Sequence, residues 1–408
     1  MAIVKPFRAL HPVPEKAKFV SCVPYDIVSE SEVREITAGN PDSFLRVTRP
    51  EADFAAASVP PEVEVMKRAQ EHLDRFIRED ILSQESQPCL YVYRLAFESH
   101  EQTGIVGCCS LDDYDAGIIK KHEKTRPDKV RDRTDHMLSL KAQTGLIFLA
   151  FRGTDETKKL IAETVAGDPL YDFVCPKSVR QTVWRVAEPE AFVGAFDRIP
   201  ELYIADGHHR AESAALARRE MQYGNPDHTG AEEYNYVMAG IFPAEDLHIL
   251  AYNRVIKDLN GLTDEAFLEK LQQNFIVGET SERQPKNRGE FCMYLAGRWY
   301  NLRYNVNYVR EPEPLDRLDV QILQLNVLQP ILGINDPRTN ERITFVGGGR
   351  GIDELETLVD SGGSQVAFSL FPTTMEDLFA VSDMDEIMPP KSTWFEPKLK
   401  DGLFVHLI

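Results

Sequence analysis

Tyr203-Ile204-Ala205-Asp206-Gly207-His208-His209-Arg210, running on into Ala211-Glu212-Ser213-Ala214-Ala215-Leu216-Ala217-Arg218-Arg219-Glu220, joins a short apolar run to an Ala-rich one through a polar turn. Ala211, Ala214 and Ala215 recur at helical spacing, and Gly224 and Pro226 stop the run. The reading is therefore strand, sharp turn at Asp206-Gly207, then helix. Such a turn brings the positive end of a helix dipole to one point, beside two imidazoles and a guanidinium. Phosphate is the anion this arrangement suits best. Gly207 fits a backbone that turns tightly or comes close to a ligand. The structural alternative is a helix capped by Asp206, with both histidines bonded locally. Adjacent histidines project in different directions, so a two-His metal site at i, i+4 is not expected.

Outward from this turn, 408 residues suggest about two domains at roughly 150 residues each. Upstream, Leu90 to Ala96 and Gly104 to Leu111 read as a hairpin, and Leu146 to Phe151 as a buried strand. Phe44 to Val47 looks like a strand. A helix opens at Pro60-Pro61 with Met66, Ala69, Leu73, Phe76 and Ile77 on one face. Downstream, Tyr234 to Phe242 and His248 to Ile256 read as two strands. From Thr263 come a helix, a hairpin, an apolar helix from Leu318 to Ile331 and two strand–helix units. The expected organisation is a core at 1–257, a smaller α/β domain at 258–385, and a tail at 386–408 that returns to the core.

A net charge of −19 argues against non-specific nucleic-acid binding, which rests on Lys and Arg contacts to phosphates. No apolar run reaches 18 residues and no signal-peptide pattern opens the chain, so no membrane partner is expected. The six cysteines lack C-x-x-C spacing, which suits ordinary reduced thiols in a cytoplasmic protein.

Other stretches carry chemistry less strongly. In His122-Glu123-Lys124-Thr125-Arg126, Glu123 stands among cations, which favour an ionised carboxylate able to accept a hydroxyl proton. The alternative is a solvated charged loop. Lys391-Ser392-Thr393 offers an ammonium and two hydroxyls between Pro389-Pro390 and Trp394-Phe395, without the glycines of a P-loop. Gly347-Gly348-Gly349-Arg350-Gly351 departs from the dinucleotide fingerprint and reads better as a connection. Asp112, Asp113 and Asp115 could hold Mg2+, although a plain acidic turn explains them more simply.

Six ordered pieces make nearly the whole chain resemble a bacterial and archaeal family catalogued only as a domain of unknown function. They are Lys5-Pro6-Phe7-Arg8, Pro24-Tyr25-Asp26, Asp113-Tyr114, His122 to Pro127, Ile204 to Arg210 and Met388 to Thr393. More distantly, the chain resembles the ADP-dependent free-serine kinases of the ParB/sulfiredoxin-like fold. Those enzymes carry an Asp-Gly-His-His-Arg turn, as at 206–210, and upstream a His-Glu pair whose glutamate is taken as the base, as at 122–123. Near the C-terminus they carry a Pro-Lys-Thr-Thr stretch similar to Pro390-Lys391-Ser392-Thr393.

The resemblance implies an α/β (α+β) ParB/sulfiredoxin-like core with an N-terminal elaboration and a second, smaller α/β domain. It implies a nucleotide-dependent phosphotransferase acting on a hydroxyl of a small metabolite, with ADP or ATP as donor together with Mg2+. Glu123 and His209 would be catalytic. Asp206, Gly207, His208, His209, Arg210, Arg126 and Thr125 would hold phosphates. Lys391, Ser392, Thr393, Tyr25 and Asp26 would bind substrate, and no metal ligands are assigned. Homodimerisation stays open. The first 110 residues have no counterpart in the kinases, and the residues that read serine do not map. The turn lacks the sulfiredoxin cysteine and the Glu-Arg-Arg of the DNA-partitioning relatives. A non-catalytic nucleotide- or phosphometabolite-binding regulator is the alternative function.

Overall fold

Strand Leu202–Asp206 and helix His208–Gly224 form as the apolar and Ala-rich runs require, with only Gly207 between them. The strand lies within a nine-stranded sheet. Its order is Ile119–Lys120, Leu202–Asp206, Ile147–Phe151, Tyr236–Pro243, His100–Ser110, Tyr91–Phe97, Arg180–Arg185 and Tyr171–Val174, with Val4–Lys5 also pairing with His100–Ser110. Two of the pairings are parallel and the rest antiparallel, so the sheet is mixed. The pairing of Leu202–Asp206 with Ile147–Phe151 slips register between Ile204 and Asp206. Such an irregularity bends the strand and re-aims the residues at its end. The computed structural model describes residues 1–55, 60–305 and 313–408.

The chain divides into two compact units. Unit 1 comprises Met1–Lys121, Thr125–Leu247 and Pro397–Ile408, and unit 2 comprises His122–Lys124 and His248–Glu396. The expected 258–385 segment falls within unit 2. The tail is shared, with residues up to Glu396 in unit 2 and the last twelve in unit 1. Those twelve are tightly built in. Asp401 exchanges backbone hydrogen bonds with Cys22, Val405 does so with Leu10, and His406–Leu407 pairs with Ala142–Gln143. The Phe404 ring lies 4.9 Å from that of Tyr91.

The N-terminal elaboration has its own core, in which Val33, Phe44, Leu45, Val47, Ala69, Leu73 and Phe76 pack with Leu140, Ala142 and Val405. Phe44 to Val47 is not a strand: Leu45–Thr48 is a helical turn. Phe44, Leu45 and Val47 all reach this core, which a flat strand with alternating faces would not allow. Burial has overridden β propensity. In helix Glu62–Arg78, Met66, Ala69, Leu73 and Phe76 are buried as their spacing demands, but Ile77 is exposed. It stands one residue, about 100°, round from Phe76.

Unit 2 is built on a six-stranded antiparallel sheet, ordered Phe275–Glu279, Arg298–Tyr304, Glu290–Leu295, Val366–Leu370, Tyr252–Ile256 and Ile343–Gly347. The expected strand from His248 to Ile256 is two, because Ile249–Leu250 pairs instead with Trp394–Phe395. The apolar run after Leu318 is helical, but it widens from α at Asp319–Leu323 to π at Gln324–Leu328.

The glycine run ends strand Ile343–Gly347 and serves close packing. A Cβ on Gly347 would stand 2.2 Å from the Trp394 ring, and one on Gly348 would stand 2.6 Å from Leu250 Cβ. Gly347→Ala is therefore expected to destabilise unit 2 by about 1–3 kcal/mol through overpacking. Urea unfolding followed by tryptophan fluorescence would measure it, and an unchanged midpoint would contradict the packing role.

Candidate functional site

Gly207 is the N-cap of the His208–Gly224 helix, in a left-handed conformation with φ 93° and ψ 27° that a residue with a Cβ rarely adopts. A glycine brings no side chain to cap the helix. Ser29, Thr154 and Thr374, by contrast, each close a capping box on their own helices. Asp206 is not the helix cap that the structural alternative required. Its Oδ1 accepts from the Gly207 N–H at 2.8 Å, and its Oδ2 pairs with Lys398 Nζ at 2.7 Å. His208 is buried. His209 is half-buried, and its Nε2 accepts the backbone N–H of Arg126 at 3.0 Å. An accepting Nε2 places the ring proton on Nδ1. The Arg126 guanidinium is exposed and forks onto Asp128, at 3.2 and 2.8 Å, at the start of helix Pro127–Leu140. Thr125 is half-buried.

Arg210 points back under the turn. A Cβ on Gly207 would meet its guanidinium at 3.1–3.2 Å, and it donates to the Leu146 carbonyl. Burial works against this charge, but Asp206, Asp26, Asp401 and Tyr25 more than offset the penalty and raise its pKa. Unit 1 thus brings Tyr25 and Asp26, from the N-terminal elaboration, into electrostatic range of the turn. Burial, with Asp26 adding to it, pushes the Tyr25 phenol up to about 12 against the pull of Arg133 and Arg210. The Arg133 guanidinium lies 4.4 Å from the centre of the Tyr25 ring.

Asp401 was not legible as a site residue. It is 2% exposed, and burial pushes its carboxyl up to about 7. Arg210 opposes that rise and Asp26 adds to it, while the Tyr25 backbone N–H and Arg133 pull the other way. Gly145 leaves room for it, since a Cβ there would stand 2.6 Å from its Oδ1. Lys398 and Asp401 lie 192 and 191 residues from the Asp206 and Arg210 they serve, so no local spacing announces them.

Unit 2 holds a second group. Glu123 is half-buried on the 122–124 segment. The Met388 N–H donates to the His122 carbonyl at 2.9 Å, and Thr393 Oγ1 stands 3.4 Å from His122 Nε2. Two motifs about 270 residues apart are thereby brought together. The Ser392 hydroxyl is buried and donates to the Pro389 carbonyl at 2.6 Å, so it braces the loop. Lys391 is exposed, left-handed at φ 57°, with Nζ 5.7 Å from the Tyr252 ring centre. Behind the loop lies Arg254, 2% exposed, which donates to the carbonyls of Tyr252 (2.6 Å), Lys391 (3.0 Å) and Pro390 (3.1 Å). A charged residue inside the apolar strand Tyr252–Ile256 was the signal that sequence reading passed over.

The acidic cluster at 112–115 is engaged elsewhere. Arg218 bridges Asp112 at 2.7 Å and Asp115 at 2.5 Å, and buried Asp113 accepts the Ile3 N–H at 2.7 Å. Among the described residues no group of three or more His, Cys, Asp or Glu side chains is set to hold a metal ion. None of the described helices is long and apolar enough to cross a membrane.

Among solved structures, a free serine kinase variant in complex with AMP is 14% identical, covering 76% of this chain and 95% of that one, with a TM-score of 0.38. A conserved hypothetical protein from Pyrococcus furiosus is 16% identical over 73% of this chain and 94% of its own, with a TM-score of 0.36. C-terminally truncated SbnI from Staphylococcus aureus is 12% identical over 74% and 87%, with a TM-score of 0.40. No curated protein matches the chain. A model described as a protein of unknown function, DUF1015, matches residues 4–321, and the chain belongs to that family.

Proposed function

We propose that the protein is a nucleotide-dependent phosphotransferase that phosphorylates a hydroxyl of a small metabolite. The observation that carries the reading is the 206–210 turn. It is a helix start with no side-chain cap, with His208 and His209 in its first turn and a buried guanidinium beneath its glycine. A helix N-terminus of this kind favours phosphate. Support also comes from motif order: the turn, the His122-Glu123 pair and Pro390-Lys391-Ser392-Thr393 match the order of motifs in ADP-dependent free-serine kinases.

The 206–210 turn, with Thr125 and Arg126, holds the phosphates of ADP or ATP, and Arg210 supplies positive charge below it. Tyr25 and Asp26 contribute to substrate binding. Glu123 takes the acceptor's hydroxyl proton as the new oxygen–phosphorus bond forms. The bond to the nucleotide's leaving oxygen breaks, and the electron pair departs with that oxygen. Lys391 and Thr393 face the substrate, and Ser392 keeps their loop in shape. Catalysis of this type is mostly positioning and charge stabilisation.

The test is phosphorus NMR on the purified protein with Mg2+, ADP or ATP, and a panel of amino acids and small alcohols. A new phosphoester signal that disappears in Glu123→Gln is the expected outcome, and it names the acceptor. Intact nucleotide that binds, with binding lost in His209→Ala, would replace this reading by that of a non-catalytic regulator. Absence of binding would leave the turn as structure.

A further inference from the structure

Arg254 belongs to none of the motifs, yet it meets two of them. A buried guanidinium is stable only when its N–H groups find acceptors. Here the acceptors are carbonyls, two of them on the loop that carries Lys391. Lys391 holds a left-handed backbone at φ 57°, which costs a non-glycine residue energy and needs an external hold. The bonds from Arg254 to the Pro390 and Lys391 carbonyls supply one.

Carbonyls satisfy the guanidinium without neutralising it. The titratable groups that act on it are Tyr252 on its own strand and Glu123 on the 122–124 segment, while the loop whose carbonyls it holds carries the Lys391 ammonium. Burial lowers the pKa of Arg254 to about 10, with Tyr252 and Glu123 acting in the opposite direction, so it remains charged at neutral pH. The Phe345 ring, 4.8 Å from its guanidinium carbon, covers it further.

We propose that Arg254 is the positioning residue of the Glu123 site, fixing the loop that carries Lys391 through its carbonyls and setting a fixed positive charge opposite Glu123. This rests on the role of Glu123 as base. An opposite charge favours an ionised carboxylate, so removing it moves the protonation of Glu123 to higher pH.

The experiment is a carbon-13 NMR titration of the Glu123 carboxyl in the full chain, assigned by its loss in Glu123→Gln. It compares the native protein with Arg254→Gln and Arg254→Lys. The Gln variant is expected to raise the Glu123 midpoint by about one pH unit, and the Lys variant to leave it near the native value. Arg254→Lys keeps the charge but loses the planar fork. Cleavage at Lys391-Ser392 by a lysine-specific protease should therefore quicken about tenfold, the worth of one charged hydrogen bond. An unmoved midpoint in Arg254→Gln overturns the proposal, as does unchanged cleavage at Lys391 in Arg254→Lys. If the Gln variant does not fold, the Lys variant decides through cleavage alone. The titration needs no turnover, so a failed kinase assay leaves it readable. Activity lost in Glu123→Gln beside an unmoved midpoint in Arg254→Gln would remove Arg254 and keep the base.

Discussion

In Glu123→Gln, phosphate transfer to the acceptor falls by about 10²–10⁴-fold, the usual worth of a positioned general base. The amide matches the carboxylate in shape but cannot take the proton. The loss therefore appears in kcat, while nucleotide affinity stays near native, as expected when an interaction made only in the transition state is removed. His209→Ala should behave in the opposite way. Its ring bonds the Arg126 N–H at the helix start, so its loss loosens the phosphate site and raises the KM for nucleotide. Single-turnover kinetics at saturating nucleotide would separate the two. Equal turnover in Glu123→Gln and native protein would sink the base assignment whatever the fate of His209.

Arg210→Met destabilises unit 1 by about 3–5 kcal/mol at pH 8, the cost of leaving buried charge unpaired, and by less at pH 5. The difference comes from Asp401. Its carboxyl titrates at about 7 in the folded chain against an ordinary value of 3.8, so the folded chain holds a proton that the unfolded chain has released. Asp401 therefore contributes stability that is fully present below about pH 3.8 and is lost as pH rises through about 7. At pH 5 it is mostly neutral, and losing Arg210 strands less charge. At pH 8 it is ionised near Asp26 and Asp206, while Lys398 still pairs with Asp206. Because the chain has two units, one global midpoint is a poor measure. Hydrogen exchange of the Leu202–Asp206 amides reports on unit 1 directly. An equal loss at the two pH values would contradict this account, and Asp401→Asn should flatten the native pH dependence.

The strand, turn and helix at 202–224 were legible because their causes are local: an apolar run, a glycine, and alanines at helical spacing. The pairing of the hairpin strands Tyr91–Phe97 and His100–Ser110 was legible for the same reason. Phe44 to Val47 misled because its residue types favour strand, whereas the core that claims Phe44, Leu45 and Val47 is assembled from distant segments. At the site, the turn and Glu123 stood out by residue type. Lys398, Asp401 and Arg254 did not, since each acquires its partners only through folding. Arg254 left one trace, a charge inside an apolar strand. Asp401 left none, being one acid among sixty-five.

The division of the tail has a consequence for biosynthesis. Residues 248–396 must emerge from the ribosome before Pro397–Ile408 can deliver Lys398 and Asp401 to unit 1. At typical synthesis rates that is a wait of roughly 10–30 s, during which Arg210 lacks one of its carboxylates and Asp206 lacks its lysine. Unit 2 has time to fold in that interval. A ribosome that stalls short of residue 397 leaves a nascent chain with the turn written but not wired. The charge network at 206–210 is therefore complete only once the last twelve residues are made.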